Sequence, residues 1–193
     1  GELSEVIRFI PLSPPPLLRQ VSLRLHNVCG LRDPLFRRSY LRRATADILA
    51  LLETNCSSTS EEEEWAADWS GQAFWASAHR TPDQPLGSHR GVAIFLSSSS
   101  AFGPATVLAR DPDGRYLAVR VAIHGRPSLI VALHADCGPT QAAAFAMAQR
   151  SVSVPAGNLD TYLLVDSNCV LSPLDHFSFS PLPPASPPHA STP

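Results

Sequence analysis

Two polar residues, Asp166 and Asn168, follow a short apolar run and are separated by a single residue. The run, Tyr162 to Val165, has the length and the polar flanks of a buried strand. Because side chains along a strand repeat with a period of two, an Asp and an Asn at this spacing can point into one cleft. Asp supplies a base or a metal ligand, and Asn supplies an uncharged amide donor for an anionic oxygen. The pair suits phosphate-ester chemistry, although the same residues could simply form a turn.

A second candidate, Glu53, stands at the end of another apolar run. Residues Ile48 to Leu52 are all apolar, and periodicity alone does not separate a buried strand from a helix there. We interpret Asp47 to Thr54 as a strand. Glu53 then emerges at the end of this strand, where its carboxylate could bind a metal ion or simply face solvent.

Further elements are needed to position these residues. Val21 to Val28 alternates apolar and polar residues and predicts a half-buried strand. Asp33-Pro34 can start a helix that continues over Leu35 to Ala46. The arginines of this helix form either a solvated face or a surface that faces phosphates; they are Arg37, Arg38, Arg42 and Arg43.

The middle of the chain predicts a series of strands. Strand patterns occur at 91–96, 105–109, 115–123 and 128–134, with a turn at 111–114 that makes a hairpin, and 140–152 predicts a helix. The four consecutive acids at 61–64 predict a solvated, flexible run, and 65–80 a loop or short helix over the core. The sum predicts a mixed α/β domain with polar residues collected at one sheet edge.

The composition limits the class of protein. The 193 residues, 44% hydrophobic and 17% charged, are enough for one domain with a sizeable core. A net charge of -2 gives no global basic field. All 15 basic residues are Arg, which excludes the lysine-dependent chemistry of phosphate loops, Schiff bases and pyridoxal phosphate.

The remaining sequence signals concern thiols, membranes and the two ends. The four cysteines have no Cys-x-x-Cys spacing, so we expect free thiols rather than a zinc site; they are Cys29, Cys56, Cys137 and Cys169. Without a signal-type segment or an apolar run of the ~20 residues that a membrane span needs, we expect an intracellular protein, nuclear or cytoplasmic. Residues 1–20 predict a Pro-rich arm and 177–193 a disordered Ser/Pro-rich tail, which leaves 21–176 for the domain.

Four pieces of the sequence occur in a specific order: Asn27 with Gly30-Leu31-Arg32, then Glu53-Thr54, then GVAI at 91–94, then Asp166-x-Asn168. In this order and spacing they resemble the endonuclease/exonuclease/phosphatase superfamily. The continuation NCVLSPLD at 168–175 and RYLAV at 115–119 are similar to the apurinic-type endonuclease domains of non-LTR retrotransposons. The resemblance covers roughly residues 21 to 175.

This resemblance implies a deoxyribonuclease-I-like α/β fold, a two-sheet sandwich flanked by helices, with DNA as the partner and Mg²⁺ as the cofactor (Mn²⁺ as an alternative). It implies that Glu53 is the metal ligand, that Asp166 orients or deprotonates the attacking water, and that Asn168 holds the scissile phosphate. Asn27 would support the site by hydrogen bonding. His134 stands where a Tyr that contacts phosphate is common, and it could donate to phosphate or be a packed residue at a strand end.

The sequence departs from the family pattern at several points. Cys29 takes the place of a second Asp or Asn near the metal, and a thiol is a poor ligand for Mg²⁺. Val165 replaces a Gly before Asp166. The family ends with further strands and an Asp-His pair, but here the Pro-rich tail begins first, and Asp175-His176 comes too soon after Asn168 to be that pair. We therefore expect the fold to be incomplete at its C-terminus.

The predicted function is that of a metal-dependent phosphodiesterase, and more specifically of a DNA endonuclease of retrotransposon origin. Two alternatives stay open at this point. One is a non-catalytic remnant of such a domain, which the missing Asp-His pair would explain. The other is a phosphatase or phosphodiesterase of the same superfamily with a substrate other than nucleic acid, such as an inositol phosphate or a lipid.

Overall fold

The strands form two four-stranded sheets in a computed structural model, which describes residues 19–78, 90–135, 146 and 159–166. The first sheet has the order β1-β2-β4-β3 and the second the order β5-β6-β7-β8. In chain order the elements are β1 (Leu23–Asn27), α1 (Pro34–Arg43), β2 (Ile48–Leu52), α2 (Thr59–Ala66), β3 (Gln72–Ala76), β4 (Val92–Leu96), β5 (Phe102–Arg110), β6 (Tyr116–Ile123), β7 (Arg126–His134) and β8 (Asp160–Asp166).

Each sheet contains one parallel pair of strands. In the first sheet β1 runs parallel to β2, with Asn27 opposite Leu52. In the second sheet β7 runs parallel to β8, with His134 opposite Asp166. Parallel strands have their carboxyl ends at the same edge of a sheet. In each sheet, two strand ends and the residues that follow them therefore lie at one edge.

Strand β2 is apolar throughout because both of its faces are buried. Its residues Ile48, Ala50 and Leu52 pack into the layer between the sheets, against residues such as Val119 and Ile130. Its other two residues face a second layer that contains Leu41 of α1 and Trp65 of α2. A strand buried on both sides reads as a continuous apolar run, so the structure resolves the ambiguity at 48–52 in favour of a strand.

The predicted architecture, a two-sheet α/β sandwich flanked by helices with a deoxyribonuclease-I-like fold, is confirmed. The hairpin around 111–114 joins β5 to β6, and α1 begins where Asp33 predicts it, because the Asp33 side chain accepts hydrogen bonds from the backbone N–H groups of Leu35 and Phe36. The helix ends at Arg43, slightly earlier than predicted.

The prediction of a flexible acidic run at 61–64 is wrong, because these residues lie in α2. Ser58 caps the helix by accepting a hydrogen bond from the backbone N–H of Glu61. Acidic residues in the first turn also interact favourably with the helix dipole. Arginines before the helix offset the repulsion between the acids: Arg32 pairs with Glu61 at 2.9 Å and Arg37 with Glu64 at 3.2 Å.

Two further expectations need correction. Residues 72–76 form a strand, β3, that pairs with β4, rather than a loop or short helix. Arg37 is neither on a solvated face nor on a phosphate-facing surface, since its side chain is 1% exposed. It donates to Asp68 at 2.7 Å and to the backbone carbonyl of Leu31 at 3.2 Å. Arg37 of α1 is therefore an interior residue.

Several expectations lie largely outside the described residues. Of the predicted helix at 140–152, only Ala146 is described, and it is helical. Residues 1–18, Asn168, Asp175-His176 and the tail at 177–193 are not described, so the predicted arm, tail and C-terminal incompleteness stay predictions. Cys29 and Cys56 are free thiols. Neither helix in the described ranges has the length and apolar character that a membrane crossing needs.

Candidate active site

Four of the five predicted site residues meet where the carboxyl ends of the parallel strands come together. Asn27 is the last residue of β1, and Glu53 follows the last residue of the neighbouring strand β2. His134 and Asp166 are the last residues of β7 and β8 and lie opposite one another in register. Asn168, the fifth, lies outside the described residues.

The Asn27 amide connects two carboxylates that belong to different sheets. Its Nδ2 donates to Glu53 Oε1 at 2.7 Å and makes a longer contact of 3.5 Å with Asp166 Oδ2. The Nε2 atom of His134 lies 3.3 Å from the same Glu53 oxygen. The side chains of Glu53 and His134 are 15% and 5% exposed, so both are largely removed from water. The arrangement holds two acidic groups close to one uncharged amide.

The backbone around Glu53 is held in an unusual conformation. Glu53 has a φ of 54° and Asn55 a φ of 59°, both in the left-handed region that residues other than Gly rarely adopt. Such residues cost on the order of 1 kcal/mol or more and persist where the surroundings fix them. Here Thr54 N–H donates to the Gly91 carbonyl at 3.0 Å, and Asn55 N–H to the Arg90 carbonyl at 2.7 Å. Hydrogen bonds to the segment before β4 therefore fix the direction of Glu53.

Arg32 connects the loop after β1 to the loop after β2. Its guanidinium donates to the backbone carbonyl of Asn55 at 2.9 Å, to Ser57 Oγ at 2.9 Å, and to Glu61 at 2.9 and 3.3 Å. The backbone N–H of Leu31 also donates to the Thr54 carbonyl at 2.9 Å. These contacts make Arg32 a positioning residue for the segment that carries Glu53. Arg32 belongs to a motif identified in the sequence, but the motif did not indicate this role, because Glu61 lies 29 positions away along the chain.

Cys29 lies at the exposed rim of the site. Its backbone N–H donates to Asn27 Oδ1 at 3.2 Å, and its Sγ lies 3.6 Å from the same oxygen. The thiol is therefore next to the residue that contacts both carboxylates, and the prediction that Cys29 lies near a metal ion stays a prediction.

The residues present fit a hard divalent cation. Mg²⁺ prefers oxygen ligands, commonly takes only one or two carboxylates from the protein, and keeps several waters. Glu53 and Asp166 provide two carboxylates within reach of one amide group. In the described ranges no group of three or more His, Cys, Asp or Glu side chains has the arrangement of a metal site. Two carboxylates within reach of one amide match the number that Mg²⁺ commonly takes from a protein.

No protein-family model and no curated protein matches the sequence. Solved structures do match. The Xenopus laevis APE2 catalytic domain has a TM-score of 0.54 and 18% identity and covers 78% of this chain, and a humanized D. rerio TDP2 has a TM-score of 0.52 and 17% identity over 78% of this chain. D. rerio TDP2 complexed with a single-strand DNA product has a TM-score of 0.49 and 15% identity, again over 78%.

The chain spans 59% of the length of the APE2 domain and 67% and 62% of the two TDP2 structures. At these levels of identity the similarity concerns the fold. The order of the two sheets, their parallel pairs and the two flanking helices agree with that similarity. The chain therefore has the deoxyribonuclease-I-like fold of these solved structures.

Proposed function

We propose that this chain is a metal-dependent phosphodiesterase and that its substrate is DNA. The observation that carries the proposal is the contact of one amide, Asn27, with two carboxylates, Glu53 and Asp166, each supplied by a different sheet. The fold supports hydrolytic phosphodiester chemistry. The likeness of 115–119 and 168–175 to retrotransposon endonuclease domains supports DNA as the substrate over a lipid or an inositol phosphate. The same likeness supports endonucleolytic cleavage, a retroelement origin and an intracellular location.

Glu53 would hold the metal ion, Mg²⁺ or alternatively Mn²⁺. When bound, the ion supplies positive charge that stabilises the charge developing on the phosphate and lowers the pKa of bound water. Asp166 would orient the attacking water and accept its proton as the new O–P bond forms. The P–O bond to the sugar oxygen would break, and that oxygen would take up a proton from water. Asn168 would hold the scissile phosphate through its amide. Asn27 keeps the oxygens of both carboxylates in fixed directions without adding a charge.

His134 fits a positioning role better than direct contact with phosphate. Its ring is nearly buried, and Nε2 lies against the Glu53 carboxylate. A ring in this place restricts the rotation of the Glu53 side chain. If Nε2 of His134 donated to phosphate instead, the ring would have to leave this contact.

A plasmid-nicking assay with Mg²⁺ tests the proposal. Glu53→Gln and Asp166→Asn remove one negative charge each and keep the side-chain shape, and we expect each to reduce nicking by about 10²-fold or more. Glu63→Gln and Asp160→Asn are matched controls, because both residues are exposed and neither belongs to the site. These controls should nick like the wild type. Equal nicking by wild type, Glu53→Gln and Asp166→Asn would contradict the proposal.

Two further measurements separate the alternatives. Calorimetry with Mg²⁺ and Mn²⁺ should show binding that is lost in Glu53→Gln, whereas the absence of binding in the wild type would indicate a non-catalytic remnant. Hydrolysis of a small synthetic phosphodiester that depends on Glu53, without nicking of DNA, would keep the phosphodiesterase and reject DNA as the substrate.

A further inference from the structure

A groove lies between α1 and the edge strand β1, on the side of the first sheet that faces away from the second sheet. Its volume is about 250 Å³, and it is lined by Arg24, Phe36, Ser39, Tyr40, Arg43 and Ala44. We refer to it as the β1–α1 groove. No acidic residue lines it in the described part of the chain.

Three aromatic rings form a row along this groove. The rings of Phe36 and Tyr40 are 5.8 Å apart with an interplanar angle of 32°, and those of His26 and Tyr40 are 5.5 Å apart at 40°. His26 Nδ1 and the Tyr40 hydroxyl share a hydrogen bond of 2.6 Å. Phe36 is 46% exposed, which is unusual for a large apolar ring on a helix that packs against a sheet.

The groove also carries positive charge that the described residues leave unbalanced. Arg24 and Arg43 are exposed, and neither has an ion-pair partner within the described ranges. By contrast, Arg32, Arg37 and Arg38 each pair with a carboxylate. The charge of Arg24 reaches the middle of the row of rings, since burial raises the pKa of Tyr40 and Arg24 acts in the opposite direction.

We propose that the β1–α1 groove binds a single-stranded segment of DNA. Arg24 and Arg43 would contact phosphates, and the exposed ring of Phe36 would stack on a base, which is the combination that single-strand binding sites use. A duplex would not suit these rings, because its bases are already stacked on one another. The choice of DNA over another polyanion rests on the proposed function.

The position of the groove agrees with this role. His26 precedes the site residue Asn27 in β1, and neighbouring side chains of a strand point to opposite faces. Asn27 contacts Asp166 of the second sheet, whereas His26 contacts Tyr40 of α1. His26, which contacts the groove residue Tyr40, therefore links the groove on the outer face of β1 to the candidate active site at Asn27.

Binding of a fluorescently labelled oligo-dT to the full chain, followed by anisotropy in EDTA, tests the inference. Arg24→Ser/Arg43→Ser should weaken binding and reduce the slope of log K against log salt by about 1.4, since each phosphate contact on a single strand contributes ~0.7. Arg120→Ser/Arg126→Ser is the matched control. It also removes two exposed arginines without ion-pair partners in the described ranges, but these lie on the second sheet.

A second variant tests the rings separately. Phe36→Leu keeps an apolar side chain and removes the ring, so we expect about tenfold weaker binding with an unchanged salt slope. Circular dichroism would reveal whether the double arginine variant folds. If it does not, Phe36→Leu still tests whether the groove binds the oligonucleotide.

Two outcomes would overturn the inference. One is the absence of wild-type binding at protein concentrations up to about 10⁻⁴ M, the weak end of non-specific binding. The other is an equal effect of the groove variants and the control pair. Since the assay needs neither metal nor cleavage, plasmid nicking that depends on Glu53 could persist with either outcome, and the proposed function would then stand without the groove.

Discussion

At the scale of single residues, Asn27 explains how Glu53 and Asp166 can lie close together at one edge of the sandwich. Its amide group has two hydrogens, which serve Glu53 and Asp166, and its oxygen accepts from the backbone N–H of Cys29. A carboxylate in this place would add a third negative charge. A Lys or Arg would neutralise the charge that a metal ion needs. A neutral amide avoids both problems, and this is a physical reason for Asn at the end of β1.

Cys29→Asp should strengthen Mg²⁺ binding by about tenfold, or ~1.4 kcal/mol, because it adds a carboxylate beside Asn27. Asp also tolerates the left-handed conformation of Cys29, whose φ is 50°. Calorimetry against the wild type gives the change, and Cys29→Ser is the control that removes the thiol without adding charge. Equal affinities of the Asp and Ser variants would show that position 29 does not face the ion.

At the scale of elements, short-range signals in the sequence were sufficient for much of the fold. The cap at Asp33, the apolar run of β2 and the alternation in β6 each act over a few residues, and the structure confirms all three elements. Helix α2 and strand β3 were missed because distant partners stabilise them, such as Arg32 for Glu61 and β4 for β3. Local patterns do not contain those partners.

The site shows the same division. The order of Asn27, Glu53 and Asp166 in the sequence indicated that they belong together, and the structure brings them together. The roles predicted for them, and for Asn168 and His134, stay predictions. The contact between Asn27 and Asp166 joins residues 139 positions apart, and the hydrogen bonds that direct Glu53 come from the backbone before β4. Such contacts depend on how the sheets pack.

Gly91→Ala should disturb the Glu53 segment. Gly91 has a φ of 100°, and a Cβ atom there would lie 2.4 Å from Thr54 Oγ1. We expect the free energy of unfolding to fall by about 1 to 3 kcal/mol and Mg²⁺ binding to weaken, because Thr54 must move. Urea denaturation and calorimetry provide the two values.

Gly125→Ala is the matched control for this prediction. Gly125 also has a positive φ, 77°, but a Cβ atom there would have no neighbour within 4 Å. It should show the backbone strain alone and leave Mg²⁺ binding unchanged. If both variants bind Mg²⁺ like the wild type, the contact between Gly91 and Thr54 does not control the direction of Glu53.

At the scale of the whole molecule, Asp47 holds the end of the first sheet opposite to the site. It accepts hydrogen bonds from the backbone N–H of Ser22 at 2.9 Å, from the Ser22 hydroxyl at 2.8 Å and from Arg19 at 2.7 Å. The backbone hydrogen bond from Ser22 is the main reason that the pKa of Asp47 lies below its usual 3.8; burial opposes this effect, and the Ser22 hydroxyl and the Arg19 charge add to it.

Asp47→Asn should lower the free energy of unfolding by about 1 to 3 kcal/mol at pH 7. Because the folded pKa of Asp47 is below the unfolded one, the unfolded chain binds the proton more readily, and the carboxylate stabilises the fold fully only above about pH 4. The difference between wild type and variant should therefore shrink as the pH falls below 4. Urea denaturation at pH 7 and pH 3 gives this difference, with Asp160→Asn as an exposed control. A difference that is independent of pH would contradict the assignment.

The division of the site between two sheets has a consequence for how the protein tolerates change. Glu53 follows a strand of the first sheet and Asp166 ends a strand of the second. The layer between the sheets is mostly apolar, and a few hydrogen bonds cross it, including those of Asn27 to Asp166 and of Gln72 to β5. A slip of one sheet across the other would change the separation of the two carboxylates before any strand pairing is lost. A displacement of about 1 Å can cost 10²-fold in rate. The hydrolysis rate would then be more sensitive than the melting temperature to small changes in the relative position of the two sheets.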